Sequence, residues 1–261
     1  KAFTSTGFTL GDASDVNAGS NTYVAWNWLA NGGTTVTNEA GSIDSTVQAN
    51  TDAGFSIVTY TGNQTAGATI GHGLGVKPDF IIFKSRGAVG SWYAYHKSLT
   101  ANNSIYLNLT AGSADRTDSF NDTEPTTSLI TFGNGSGTNA NSTTMVAYCF
   151  AGIEGYSKFG SYTGNGNADG TFVYLGFRPA WIMVKRTDSA NNWVINDSTR
   201  TPSNEITGSS STLYADTNGH EGNYDTNVDF LSNGFKARTT GGHRNATGTY
   251  IYMAFAEAPF K

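Results

Sequence analysis

The chain of 261 residues has 15 basic and 20 acidic side chains, a net charge of −5, and only 13% charged residues. Gly, Thr, Ser and Asn supply 117 of its residues. That mix disfavours helix, because Thr, Ser and Asn compete with the helical backbone for hydrogen bonds and Gly costs about 1 kcal/mol per interior position. An aromatic content of 13% argues equally against disorder, so an all-β protein with many turns is expected. No Lys/Arg cluster is dense enough to neutralise phosphates, which excludes nucleic acid as partner. No run approaches the ~18 apolar residues of a membrane-spanning helix, so no membrane insertion is expected.

In chain order, the first piece is Gly7-Phe-Thr-Leu10 followed by Asn21-Thr-Tyr-Val-Ala-Trp-Asn-Trp28. It copies Gly234-Phe-Lys-Ala237 followed by Gly248-Thr-Tyr-Ile-Tyr-Met-Ala-Phe255, which makes Trp28, Phe150 and Phe255 equivalent positions. Residues 1–30 therefore read as the terminal hairpin of a truncated preceding repeat, with strands over 7–28 and an apolar stripe from Phe8 to Trp28. Residues 31–53, rich in Gly, Thr and Asn and without sustained apolar alternation, read as a linker or long surface loop.

The remainder repeats itself. Phe55–Asn63 and Lys158–Asn165 both end in Tyr-Thr-Gly-Asn, 102 residues apart. Pro78 and Pro179, Lys84 and Lys185, and Trp92 and Trp193 are each 101 apart. Met145–Ala151 then matches Tyr250–Ala256. Two β-sandwich repeats are expected, at 54–156 and 157–261. Phe80-Ile-Ile-Phe83 and Trp181-Ile-Met-Val184 are continuous apolar runs after Pro, as central strands are. Ile105–Leu109 alternates with period two, as in a sheet with one wet face. The architecture is tandem β-sandwich or jelly-roll-like repeats.

Catalytic chemistry finds little support. His72, His96, His220 and His243 make no pair at metal-ligand spacing, and Cys149, the single cysteine, sits in an apolar run and reads as a buried strand residue. Glu154 and Glu257 supply one carboxylate per repeat rather than the flanking pair glycoside hydrolysis needs, and Asp79 is matched by Ala180. Neither a nucleophile elbow nor a phosphate loop is present. The reading is a non-enzymatic protein without cofactor.

Binding groups are better represented. Trp92, matched by Trp193, is assigned to the core, whereas Tyr93, Tyr95 and His96 are replaced by Val194, Asn196 and Asp197 and are free to act at the surface of one copy. Aromatic faces of this kind stack on sugars. The Ser209–Asp229 stretch is the second difference between the copies. It brings Asp216, Glu221 and Asp225, which read as sugar-hydroxyl acceptors, as a solvated loop, or as ligands of a Ca²⁺ ion, although the spacing is not that of an EF-hand.

Long strings carry a resemblance. Tyr23-Val-Ala-Trp-Asn-Trp28, Gly54–Asn63, Gly71-His-Gly-Leu-Gly75, Tyr95-His-Lys-Ser-Leu99, Val146–Ala151 and Phe172–Met183 are similar to a repeat family in structural proteins of marine bacteriophages. There, long virion proteins combine such modules with concanavalin-A-like, lectin-type sandwiches. The resemblance covers essentially the whole chain. It implies a tail-fibre, tail-spike or other virion surface component, with host-receptor or glycan attachment as its role; the alternatives are a capsid decoration or head-fibre protein and a secreted carbohydrate-binding protein. The implied partners are other virion proteins, a host-surface glycan and further copies of the chain, a trimer being the usual fibre arrangement. The resemblance carries over no catalytic residue.

Overall fold

The computed structural model describes residues 2–4, 6–201, 204, 211–222, 224 and 227–258. It is all-β. A small hairpin, β1 (Phe3–Thr4) and β2 (Gly7–Phe8), comes first. There follow β3 (Val36–Asn38), β4 (Ser45–Asn50), β5 (Phe55–Thr61), β6 (Thr69–Gly71), β7 (Phe80–Ser85), β8 (Tyr93–His96), β9 (Asn103–Tyr106), β10 (Ala114–Asp115), β11 (Leu129–Thr131) and β12 (Thr144–Phe150). The second half holds β13 (Ser157–Gly164), β14 (Phe172–Tyr174), β15 (Pro179–Arg186), β16 (Val194–Asp197), β17 (Leu213–Tyr214), β18 (Val228–Leu231), β19 (Gly234–Ala237) and β20 (Gly248–Ala256). Helix among the described residues is confined to short turns of three or four residues.

All strand pairs are antiparallel, as the short, turn-rich connections require. One sheet has eight strands in the order β10-β9-β8-β7-β12-β5-β4-β3, another has five in the order β13-β20-β15-β16-β17. The order β9-β8-β7-β12-β5 of the first half thus recurs as β17-β16-β15-β20-β13 in the second. Register matches too: Phe80 faces Phe150 and His96, and Trp181 faces Phe255 and Asp197.

The two large sheets pack face to face, and each has a smaller sheet on its outer face. Side-chain alternation explains this four-layer stack. Phe55, Phe80, Ala94, Ile105 and Phe150 point inward from the larger sheet and meet Phe159, Trp181, Met183, Trp193 and Phe255 of the other. Ile81, Phe83, Tyr95 and Cys149 point outward to Ile70 and Ile130 of the β6–β11 pair. Likewise Ile182, Val184 and Tyr252 meet Val173, Val228 and Phe235 of the β14-β19-β18 sheet. Both faces of β7 and β15 are covered, which is why their sequences run apolar without alternation. Segments 54–156 and 157–261 consequently share one apolar core, besides the one each holds alone.

The repeated Tyr-Thr-Gly-Asn string has a structural cause. The Tyr60 hydroxyl donates to Thr138 O and the Tyr162 hydroxyl to Arg244 O at 2.6 Å. A Cβ on Gly62 or Gly164 would lie 2.3 Å from Ala140 O or Ala246 O, so only glycine lets the chain pass. The backbone N–H of Asn63 and of Asn165 donates to the side-chain oxygen of a fully buried asparagine, Asn139 at 2.9 Å and Asn245 at 3.3 Å. The Asn245 amide nitrogen reaches Asn167 O at 2.7 Å and Thr239 O at 2.9 Å. Asn245→Leu removes these partners and leaves buried groups bare, so a loss of about 2 kcal/mol is expected in urea unfolding; a change below a few tenths would contradict the clamp.

Two expectations are corrected. Residues 7–28 do not form a hairpin: β1 pairs with β2, and among the described residues no strand pairs with residues 21–30. Two strands alone are marginal in water, and Trp26 and Trp28 instead lie on the inner core against Trp181. Residues 31–53 are no mere linker, since β3 and β4 extend the larger sheet beyond β5. Val47 is buried in the outer core, and Ser45 donates to Gly71 O at 2.9 Å, which ties this hairpin down.

Candidate functional site

The expected aromatic site in the first half is dispersed by burial. Tyr95 is completely covered, and its hydroxyl donates to Glu124, itself 2.7 Å from Lys77. Burial, then the Glu124 carboxylate, pushes the Tyr95 hydroxyl far above its ordinary range. His96 is 1% exposed. Its Nδ1 accepts from Ser98 N at 3.1 Å, so the proton sits on Nε2 and is donated to Tyr252 O at 3.2 Å. Neither residue can stack on a sugar: β8 is an interior strand, its outward face holding Tyr95 and its end reaching the second sheet. Tyr93 is half-buried, edge-on to Tyr106 at 4.8 Å, with its ring packed on Gly137.

The acidic residues of the second half are also separated. Asp216 accepts from Trp193 N and Asn192 Nδ2, both at 2.8 Å. Asn108 makes the same bond to Trp92 N at 2.8 Å, so Asp216 is a strand fastening with a counterpart and not a loop acceptor specific to one copy. Glu221 is exposed and pairs with Arg200 at 2.6 Å. Asp225 lies outside the described residues. Among the described residues no three His, Cys, Asp or Glu side chains are grouped to hold a metal ion. Asp79 is engaged by Lys97 at 3.2 Å and Gly152 N at 2.8 Å, and Glu257 by Arg178 at 2.8 Å. Cys149 is buried in the outer core of the first half, and burial pushes its thiol up to about 12.

Two surfaces are assembled instead, the first within the Ser209–Asp229 stretch but around tyrosines that the sequence did not single out. The first is a ledge at the edge strand β17. Thr212 and Gly222 pair and close the loop between them. Tyr214 and Tyr224 then stack at 4.7 Å with 30° between planes, and His243 adjoins Tyr214 at 5.4 Å. The Tyr224 hydroxyl donates to His220 O at 3.1 Å. Beside it runs an ionic chain, Asp197 to Arg200 at 2.6 Å and Arg200 to Glu221 at 2.6 Å, with Arg200 over the Trp26 ring at 5.5 Å. Burial, then Tyr224 and Asp216, pushes the Tyr214 hydroxyl up to about 12, so it stays a neutral donor. The two tyrosines are ten positions apart in the sequence, and nothing in their local pattern signals the pairing.

The second surface is a groove of about 550 Å³ on the inner face of the larger sheet, past the edge of the sheet packed on it. Trp92 and Tyr148 lie nearly parallel at 6.5 Å, and Lys84 Nζ stands 5.7 Å from the Trp92 ring centre. Trp92 is half-buried while Trp193 is 2% exposed, so assigning Trp92 to the core by its match is corrected: only the second tryptophan is covered.

The class defined by this fold is a layered antiparallel β-sandwich protein with an aromatic ledge and an open aromatic groove. The chain belongs to the domain of unknown function family DUF7483, whose family model matches residues 1–259. No curated protein and no solved structure matches it.

Proposed function

We propose that the chain is a non-enzymatic surface component of a bacteriophage virion, of tail-fibre or spike type, which attaches to host glycan through the Tyr214–Tyr224 ledge. The observation that carries this reading is the stacked tyrosine pair at 4.7 Å, bordered by His220, Glu221 and Arg200. Sugar rings stack on such faces while charged and amide groups take their hydroxyls. The ledge lies in the stretch where the two halves differ most, and the resemblance to virion repeats supplies the setting. A single shallow ledge binds weakly, so several copies, as in a trimeric fibre, would raise avidity by orders of magnitude.

On a printed array of bacterial surface glycans, the intact chain should retain at least one glycan class. Tyr224→Ala should weaken that binding about tenfold, roughly 1.4 kcal/mol and near the upper end of what one aromatic contact adds beyond its buried area, with the thermal transition unchanged. Equal binding by the variant would remove the ledge from the reading. A capsid decoration or head-fibre role is the second reading, favoured by the Trp92 groove, which suits a protein partner better than a sugar because Lys84 is already turned to Gly90 O.

A further inference from the structure

Trp28, Phe150 and Phe255, equivalent by sequence, meet in the inner core. Their ring centroids are 6.2 Å apart for Trp28–Phe150, 5.3 Å for Trp28–Phe255 and 6.2 Å for Phe150–Phe255. Three equivalent positions in mutual contact are the mark of an approximate three-fold axis, since a two-fold axis brings together only two copies of a position and a translation none.

A second set of contacts turns in the same sense. His96 donates to Tyr252 O on β20. Asp197, the counterpart of His96, accepts from Trp26 Nε1 at 3.3 Å, within the segment 21–30. Tyr252 and Trp26 lie three and two residues before the axial Phe255 and Trp28. The next step of this cycle falls on β12, beside Ala147 and Tyr148, and Tyr148 is the floor of the Trp92 groove.

The corresponding surface of the second half shows what a filled groove looks like. Trp193 Nε1 donates to Tyr106 O at 2.7 Å, and Lys185 Nζ and Asn191 N donate to Thr110 O at 3.0 and 2.8 Å. Under this cover Trp193 and Lys185 are 2% and 0% exposed. Among the described residues Trp92 and Lys84 hold the same places in their sheet without such a cover.

We propose that the Trp92 groove is the seat of a third β-sandwich repeat of this same kind, joined in the same chain to the segment 21–30, which is its innermost strand. The three large sheets then close around Trp28, Phe150 and Phe255. The counterpart of Tyr106–Ser113 in that repeat presents backbone carbonyls to Trp92 and Lys84, and residues 21–30 acquire a strand on each side, as β12 and β20 have. By the same cycle Tyr214–Glu221, the counterpart of Tyr106–Ser113, lies against that repeat beside Trp26 and Arg200, so this inference is an alternative to a glycan ledge at that edge, and its test is read separately from glycan binding.

The test is a chain in which residues 55–128 are repeated directly ahead of Gly7. Amides of residues 22–28 should exchange about a hundredfold more slowly than in the unmodified chain, and hydroxyl-radical labelling of Trp92 should fall about tenfold. A folded product with neither change overturns the proposal. So does protection of Trp92 that rises with concentration in the unmodified chain, which would make a second copy the occupant. Should the extended chain fail to fold, the axis is read without it, in Trp28→Phe, Phe255→Trp and the double variant of the unmodified chain. Residues at one axis couple, so the double variant should lose clearly less in Tm than the two single changes added together; strict additivity overturns the axis.

Discussion

Phe80→Ala should lower the unfolding free energy by about 4 kcal/mol, the range for a buried phenylalanine whose cavity cannot collapse. Phe80 is 1% exposed and stands where the two large sheets meet. Its ring centre lies 6.3 Å from those of Phe150, Phe159 and Trp193 and 5.8 Å from that of His96. Those neighbours come from both halves and are fixed by strand pairing or, for Trp193, by hydrogen bonds to Asp216 and Tyr106 O, so none can move in to fill the space. Because the core is common, both halves should lose stability together, in one calorimetric transition at lower temperature. Two transitions, with only the first shifted, would show that the halves do not share this core. The same substitution at Ile82, also facing the inner core but half-buried, should cost well under half as much.

How far the sequence could be read follows from what kind of signal each element carries. The β class, the matched strands and the buried Cys149 were legible because they rest on local pattern: alternation, apolar runs after Pro, and strings such as Tyr-Thr-Gly-Asn that recur with their turn chemistry. The sheet-on-sheet packing was not legible, since it depends on which face of each sheet finds another sheet. That single unknown decides the fate of several residues. Trp92 and Trp193 occupy the same place in matching sheets, yet only Trp193 is covered, by the segment Tyr106–Ser113. Tyr95 and His96 looked free to reach a ligand because their counterparts differ, but substitution between repeats also occurs where a core is repacked: Tyr95 fills space against Phe120, where the second half places Asn196 against Arg244. Residues 21–30 carry the pattern of a central strand, and strand formation needs neighbours that no local pattern reveals. The Tyr214–Tyr224 ledge depends on a loop closure, Thr212 to Gly222, that leaves no periodic trace.

The largest pH effect should come from His96. Burial, and to a lesser degree the charge of Lys97, pushes it down to about 4, although its bond to Tyr252 O works the other way. Around the ring stand Phe80 from β7, the Ser98 backbone and the β20 carbonyl, and the charge that acts on it is that of Lys97, which is paired with Asp79. Charging the imidazole would turn Nδ1 into a donor facing the Ser98 N–H, so the folded state resists the proton. The unfolded chain, with an ordinary value near 6.5, takes it up readily. Between these two values the unfolded state binds more protons, and stability must fall as pH falls. A difference of about 2.5 pH units corresponds to about 3 kcal/mol lost between pH 7 and pH 4 from this one residue. Carboxylates add their own acid sensitivity, so the measurement that isolates His96 is a difference: urea unfolding of the native chain and of His96→Gln at pH 7, 5.5 and 4. The glutamine chain should start less stable at pH 7, where it loses the ring packing, and the two curves should converge as the pH drops. Curves that stay parallel from pH 7 to pH 4 would mean that His96 takes up its proton in the folded protein as easily as in water, and that the joint between β8 and β20 admits charge.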